Sequence, residues 1–441
     1  MTVNLKRLIL LAGDIAIFYL SLYITLFLRY GEVGPEVKEG HLVSFSILFA
    51  LSIIVYYIVG FYELRGMKND TDFGKRFAVA LTSNFLIAIL LFYFVPAFGI
   101  APKTNLFIFF IIASSASYSW RTWWNRIAGS RSADKRLLLI GSNRILEEVA
   151  AHIRENPQLG YEVSFWMKDG LRDKEFKHLA QIIVGNEINL VVIPAHLKTS
   201  SAAARKIYQA LNLGIEVIDL SELYETIFEK VPLAELEEIW FLENLAKSHR
   251  IHDAVKRPLE VILTGIIGII MIPIAIIVVV AIKFSSPGSA FFTQVRVGKN
   301  GKPFIVWKFR TMVTGAEAEG PKWAAPKDKR ITPLGIFLRR THLDELPQLW
   351  NIFRGELSLV GPRPERPEFT ATLEKEIPYY ELRYLVRPGL TGSAQVNYRY
   401  GASLDDAYEK LQYDIYYLKH RSFFLDISIL AKTVKRIFVD A

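Results

Sequence analysis

The chain has 441 residues, 51% of them hydrophobic, and a formal charge of +9. That apolar share exceeds what a soluble protein of this length needs and points to membrane segments, while the length points to two or three domains. The absence of cysteine excludes disulfides, zinc-thiolate sites and thiol catalysis; the positive excess fits basic cytoplasmic loops and affinity for anionic headgroups or phosphorylated substrates.

Four apolar runs come first, at about residues 8–28, 42–62, 77–95 and 106–120. Each approaches the ~20 residues a helix needs to cross the hydrocarbon core. Lys and Arg concentrate before the first run, after the second (Arg65, Lys68, Lys75, Arg76) and after the fourth (Arg121, Arg126, Arg131, Lys135, Arg136). Those sides are cytoplasmic by the positive-inside rule, so four spans return the chain to the cytoplasm. The first run is too long for a cleaved signal peptide and lacks an A-x-A site. Trp120, Trp123 and Trp124 are expected in an interfacial belt. Asp14 would be costly at mid-bilayer, but it stands only seven residues beyond Arg7, near the interface.

From Lys135 the pattern becomes soluble α/β. Strands are predicted at 136–140, 161–166, 190–193 and 217–220, with helical spacing over 145–153, around 176–183 and before the last strand. Strands alternating with helices imply a parallel, Rossmann-like sheet. The first strand-to-helix turn, Gly141-Ser142-Asn143-Arg144, keeps only the first glycine of the dinucleotide fingerprint. A structural or regulatory module is therefore expected, not a cofactor site.

Residues 261–282 form an uncharged run of 22, about 33 Å long as a straight helix and enough to span. Yet Lys256 and Arg257 flank one end, and Lys283, Arg296, Lys299 and Lys302 follow the other, so both ends look cytoplasmic. Pro273 near the middle removes a helix hydrogen bond and favours a kink. A re-entrant helix over 258–283, broken at Pro273, satisfies both facts and keeps the rest of the chain at the cytoplasmic face. A fifth span would put that part outside, away from nucleotide-activated donors.

Residues 291–297 and 304–309 then read as a hairpin ending in Lys308-Phe309-Arg310-Thr311-Met312. Strand alternation sets Lys308 and Arg310 on one face, where a phosphate or carboxylate would relieve their repulsion. Residues 317–329, polar and rich in Pro and Lys, read as a loop and a candidate lid. Next comes Arg339-Arg340-Thr341-His342-Leu343-Asp344-Glu345-Leu346-Pro347-Gln348. Its adjacent carboxylates in cationic surroundings are what phosphoryl transfer from an anionic donor needs. Proline is tolerated only in the first helical turn, so a helix should start at about 343–345 with Asp344 at its N-cap or just inside. Free amides there favour negative charge. In Gly361-Pro362-Arg363-Pro364-Glu365-Arg366-Pro367 the prolines preset the backbone, so Arg363 loses less entropy on gripping a phosphate.

These segments, with Leu359-Val360 before the last of them, Arg387-Pro388-Gly389-Leu390-Thr391-Gly392 and Tyr413-Asp414-Ile415-Tyr416-Tyr417, resemble the polyprenyl-phosphate hexose-1-phosphate transferases. These are the monotopic phosphoglycosyl transferases, and the large members are most similar. The resemblance is dense over 250–441; Ser393 and Tyr398 depart from it, away from the carboxylates. It implies a multi-pass protein of the bacterial cytoplasmic membrane in three parts: a four-helix transmembrane domain (1–130), a Rossmann-like α/β domain (131–245) and a mixed α/β monotopic catalytic domain (250–441) on the cytoplasmic face. It also implies transfer of a sugar-1-phosphate from a nucleoside diphosphate sugar, commonly a UDP-sugar, to undecaprenyl phosphate. The products would be undecaprenyl diphosphate sugar and a nucleoside monophosphate, at the start of exopolysaccharide, capsule or O-antigen synthesis. By the family pattern Asp344 is the nucleophile and forms an aspartyl-phosphosugar, and Glu345 helps hold Mg2+. Lys308, Arg310, Arg339 and Arg363 would bind phosphates; a homodimer is implied, and no nucleic-acid partner. Two other readings stay open. A non-catalytic membrane scaffold that senses nucleotide sugars is opposed by the carboxylate pair, and a membrane-anchored nucleotide-sugar dehydratase or epimerase by the degraded Gly141 turn. The sugar is not legible.

Overall fold

The computed structural model describes residues 3–63, 67–94, 103–130, 134–168, 178–198, 201–245, 249–316, 328, 330–398, 401 and 403–438. They form two compact units, 1–223 and 224–441.

The first unit opens with α1 (Val3–Tyr30), α2 (Pro35–Ile58), α3 (Thr71–Phe94) and α4 (Lys103–Ser130). The first three are long and apolar enough to cross a membrane, whereas α4 has the length but is less apolar. α2 starts before its apolar run because Pro35 suits a first turn, and it ends at Ile58, after which Gly60 turns the chain with φ +85°. The bundle core is aromatic: the Phe45 ring lies 5.1 Å from Phe92 and 5.3 Å from Phe109. Gly13 lets α1 and α4 approach closely, since a Cβ there would lie 2.4 Å from the Trp120 ring. Trp120 and Trp124 consequently pack inside the bundle; of the three tryptophans expected in a belt, only Trp123 is exposed. Asp14, expected near the interface, is wholly enclosed by protein. Arg121 pairs with its Oδ2, and the Tyr62 hydroxyl donates to the same oxygen at 2.7 Å.

The unit continues through β1 (Lys135–Ile140), α5 (Arg144–Glu155), β2 (Tyr161–Met167), α6 (Leu179–Gly185), β3 (Leu190–Ile193), the single turn α7 (Ala195–Lys198), α8 (Ser201–Ala210) and β4 (Glu216–Asp219). The strands pair in parallel in the order β2-β1-β3-β4. Gly141 leaves β1 with φ +102°, and Asn143 caps α5 by accepting from Leu146 N at 2.7 Å. A helix-start amide that a dinucleotide phosphate would take is thus satisfied from within the chain.

After α9 (Leu220–Phe228) the second unit contains α10 (Glu238–Leu245) and α11 (Arg250–Ser285), then the antiparallel hairpin β5 (Phe291–Val297) and β6 (Pro303–Phe309). There follow α12 (Pro333–Arg340), α13 (Gln348–Arg354), β7 (Ser358–Val360), α14 (Pro367–Glu376), β8 (Gly389–Thr391), α15 (Ser393–Asn397), α16 (Leu404–His420) and α17 (Phe423–Phe438). α11 runs unbroken through Pro273, so that residue is not the expected helix break; apolar helices tolerate proline where neighbouring groups re-satisfy the freed carbonyl. Only 11% of its most apolar stretch is buried. Both of its halves nevertheless contact the unit. Arg257 donates to Ile352 O and, at 2.7 Å, to Phe353 O, and Lys256 donates to Val360 O at 2.8 Å. Near the other end, Val278 and Ile282 pack with Leu338, Leu343 and Leu346.

Candidate active site

β6 delivers Lys308. The strand is held by Asn351 of α13, a wholly buried residue whose amide donates to Ile305 O at 2.6 Å and accepts from Trp307 N at 3.2 Å. α12 delivers Arg339. Thr332 caps this helix by accepting from Gly335 N at 2.9 Å, and Pro333 fills its first turn. Gly335 lies against the Thr311 backbone, where a Cβ would come 2.0 Å from the carbonyl oxygen. Arg339 donates to Thr311 Oγ1 at 2.9 Å.

His342 then takes φ +56° and reverses the chain; Leu343–Glu345 form a single 3-10 turn, and α13 begins only at Gln348. Asp344 therefore does not start an α-helix as expected. The bonds beyond it, Leu346 N to Leu343 O and Leu349 N to Leu346 O, keep the tighter i+3 pattern, and Pro347 becomes the N-cap. Leu343 and Leu346 pack toward α11, and Asp344 and Glu345 face a cavity of about 790 Å³.

Lys308, Arg310, Arg339 and Arg363 all line that cavity, but their engagements differ. Glu345 Oε1 accepts from Lys308 at 2.8 Å and from Arg363 at 3.2 Å. Its Oε2, and both oxygens of Asp344, have no hydrogen bond among the described residues. Asp344 is nevertheless only 7% exposed. Burial pushes the Asp344 carboxyl up, with Lys308 opposing. Burial would raise Glu345 too, but Lys308 and Arg363 hold it far below the usual carboxylate range. Lys308 is itself lowered by burial, with Glu345 opposing. One carboxylate is thus a fixed counter-ion, and its neighbour is enclosed and unengaged.

Arg310 departs from expectation. β6 ends at Phe309, so alternation no longer applies, and Arg310 turns to the exit of α11. It donates to Ser286 O and Ser286 Oγ at 2.8 and 2.9 Å and to Pro287 O at 2.9 Å. Arg340 is exposed. The candidate lid, apart from Asp328, lies outside the described residues. Arg296, Arg330, Glu365 and Arg366 also line the cavity, unanticipated from sequence. For Arg366 the signal was present, since it shares the proline-rich run with Arg363.

An enclosed carboxylate with no hydrogen bond among the described residues, in a cation-lined cavity, suits nucleophilic attack on a phosphorus whose charge the cations offset. No group of three or more His, Cys, Asp or Glu that could hold a metal occurs among the described residues. A divalent ion here would need ligands from a substrate.

Comparison with known proteins places this unit. Residues 251–440 match the family model described as bacterial sugar transferase. The chain is similar to the UDP-N-acetylgalactosamine-undecaprenyl-phosphate N-acetylgalactosaminephosphotransferase of Aeromonas hydrophila, at 38% identity over 51% of this chain and 52% of that relative's length. It is 27% identical to the UDP-glucose:undecaprenyl-phosphate glucose-1-phosphate transferase of Klebsiella pneumoniae, over 97% of this chain and 94% of the relative. The protein of the same name from Caulobacter vibrioides is 38% identical over 41% of this chain and 69% of its own length. The matched segment holds every residue that builds the cavity, from the grip of α11 to the carboxylate turn, and by it this membrane protein belongs to the bacterial sugar transferase family.

Proposed function

We propose that the chain transfers a sugar-1-phosphate from a nucleoside diphosphate sugar, a UDP-sugar by analogy with its relatives' names, to undecaprenyl phosphate at the cytoplasmic face of the bacterial inner membrane. The observation that carries this reading is the contrast within the carboxylate pair: Glu345 is clamped by Lys308 and Arg363, while Asp344 beside it is enclosed and unengaged. A group held in reserve among cations has the character of a nucleophile.

Asp344 attacks the phosphorus that bears the sugar. Its O–P bond forms as the P–O–P bond breaks, and the nucleoside monophosphate leaves with the bridging oxygen. An oxygen of the lipid phosphate then attacks the same phosphorus, the aspartyl bond breaks, and the carboxylate is restored. Lys308, Arg339 and Arg363 offset the charge of the diphosphate; Arg310 builds the wall at the exit of α11. Mg2+ fits this donor set. Glu345 Oε2 would hold it with the donor phosphates, since Mg2+ commonly takes one or two carboxylates plus substrate oxygens, and it would neutralise diphosphate charge. Re-entry of α11 is supported by its basic flanks and by both of its halves packing on one unit. The lipid-linked product would initiate an exopolysaccharide, capsule or O-antigen.

Protein in nanodiscs, given Mg2+ and UDP-sugars, should release UMP in multiple turnovers only with undecaprenyl phosphate present. Without lipid, sugar-phosphate should remain attached to the protein in at most one equivalent. Asp344→Asn should abolish that adduct and slow turnover at least about a thousandfold, as loss of a covalent nucleophile does. Undiminished release by the variant would sink the nucleophile assignment. Silence with every donor would sink the reaction and favour a non-catalytic scaffold.

A further inference from the structure

Arg363 is held by residues that have so far been given no part in the chemistry. Prolines at 362, 364 and 367 have no N–H, so this stretch has few amides with which to join a sheet. Its carbonyls are taken up instead, one after another. Pro362 O accepts from Gly389 N at 2.9 Å, Arg363 O from Arg383 at 2.9 Å, Pro364 O from Arg296 at 2.9 Å and Glu365 O from Val297 N at 2.9 Å. Two of these donors are arginine side chains.

Arg383 lies in the short 3-10 segment Tyr380–Leu385 and is buried. The same terminal nitrogen that reaches Arg363 O also donates to Asp414 Oδ2 at 2.9 Å, and the other nitrogen donates to the Tyr380 hydroxyl. Asp414, on α16, is 1% exposed, and its Oδ1 has no hydrogen bond among the described residues. Such a pair is a poor source of stability, because desolvation of both charges offsets their attraction. What it supplies is direction: a guanidinium locked by a carboxylate presents a fixed N–H to the Arg363 carbonyl. Contacts run without a gap from Asp414 to Arg383, to the Arg363 main chain, and from the Arg363 guanidinium to Glu345 and Lys308.

We propose that Asp414 and Arg383 are positioning residues: they fix the main chain of Arg363, so that its guanidinium stands against Glu345 and the donor phosphates before the donor arrives. This gives the Tyr413–Tyr417 stretch singled out in the sequence a task at a site it does not touch. The kinetic part of the test rests on the proposed transfer reaction; the structural part does not.

The full-length protein in nanodiscs is compared with Asp414→Asn, Arg363→Ala and the double variant. Asp414→Asn should lower kcat/KM for the donor about 30–100-fold, the scale of a misplaced binding group. In the Arg363→Ala background the same change should cost less than about threefold. An equal loss in both backgrounds, or none in the first, overturns the proposal. Independently of turnover, hydrogen–deuterium exchange over residues 361–369 should quicken at least about tenfold in Asp414→Asn, while α12 exchanges as in the parent. Unchanged exchange overturns the proposal even if the variant is inactive. Faster exchange in a protein that transfers nothing would instead leave the positioning intact and remove the proposed reaction. Should Asp414→Asn fail to fold, Tyr380→Phe takes its place with the same criteria at roughly a third of the kinetic effect. It removes one partner of Arg383 and leaves the ion pair.

Discussion

Asp344 and Glu345 are adjacent in the chain and opposite in circumstance, and the difference is set by where Lys308 and Arg363 reach. Their residue types and basic neighbours are legible in the sequence, because catalysis on anions needs that composition within a short stretch. Which carboxylate is engaged is not legible, since it depends on a strand and a proline-rich turn arriving from elsewhere. Arg310 shows the limit of periodicity: alternation predicts a shared face only while the strand lasts, and β6 stops one residue short. The pairing of Asp414 escapes sequence reading for a related reason, its partner Arg383 being 31 positions away on a segment without a regular repeat. At this scale a pH dependence follows. Burial pushes Asp414 up to about 6; Arg383 opposes this, Glu365 adds to it and Lys410 opposes it. As the pH falls through about 6 Asp414 takes up a proton and loosens Arg383, so donor kcat/KM should fall along an acid limb that Asp414→Asn lacks. The sign for stability is the reverse. A raised carboxylate binds its proton more tightly in the folded state, so its contribution is complete at low pH and lost as pH rises from 3.8 to about 6.

Among the elements, the α12–turn–α13 segment sets the geometry of the carboxylate pair. Proline at 347 does forbid a long helix before it, as the sequence indicated, but the boundary falls later than expected because His342 reverses the chain and Leu343–Glu345 close as a 3-10 turn. A backbone reversal by a non-glycine residue leaves little trace in a sequence. The hairpin β5–β6 was legible to within a residue, since a turn between two alternating runs has few other solutions. Close approach was not legible. Gly335 is an ordinary helix residue in the sequence, yet α12 can sit on Thr311 only because no Cβ intervenes. Gly335→Ala sets a Cβ against backbone that has no free rotor, so the helix must shift. The expected cost is about 1–3 kcal/mol, read as a lower melting temperature, with weaker turnover because the Arg339–Thr311 bond moves with the helix.

For the whole molecule, the apolar runs anticipated helices α1 to α4 and the alternation after them a parallel sheet, while the basic clusters between the runs set the expected topology by the positive-inside rule. The same rule yields a topological prediction for α11. A reporter fused to the C-terminus should read as cytoplasmic, since Lys256 and Arg257 precede the apolar run and Lys283 ends it; an external reading would make α11 a true span. What the charge pattern could not disclose was the pairing of Asp14 with Arg121, 107 positions later. That separation has a consequence for biosynthesis. At ~5–20 residues per second, α1 emerges with a bare carboxylate roughly 5–20 s before its partner is made. An unmatched acid costs about 2.5–3.5 kcal/mol at a helix centre by insertion scales, and less toward the interface, where the sequence places Asp14. Asp14 therefore has only water and headgroups to turn to until the fourth helix is made, and its pair with Arg121 forms only once all four helices are present.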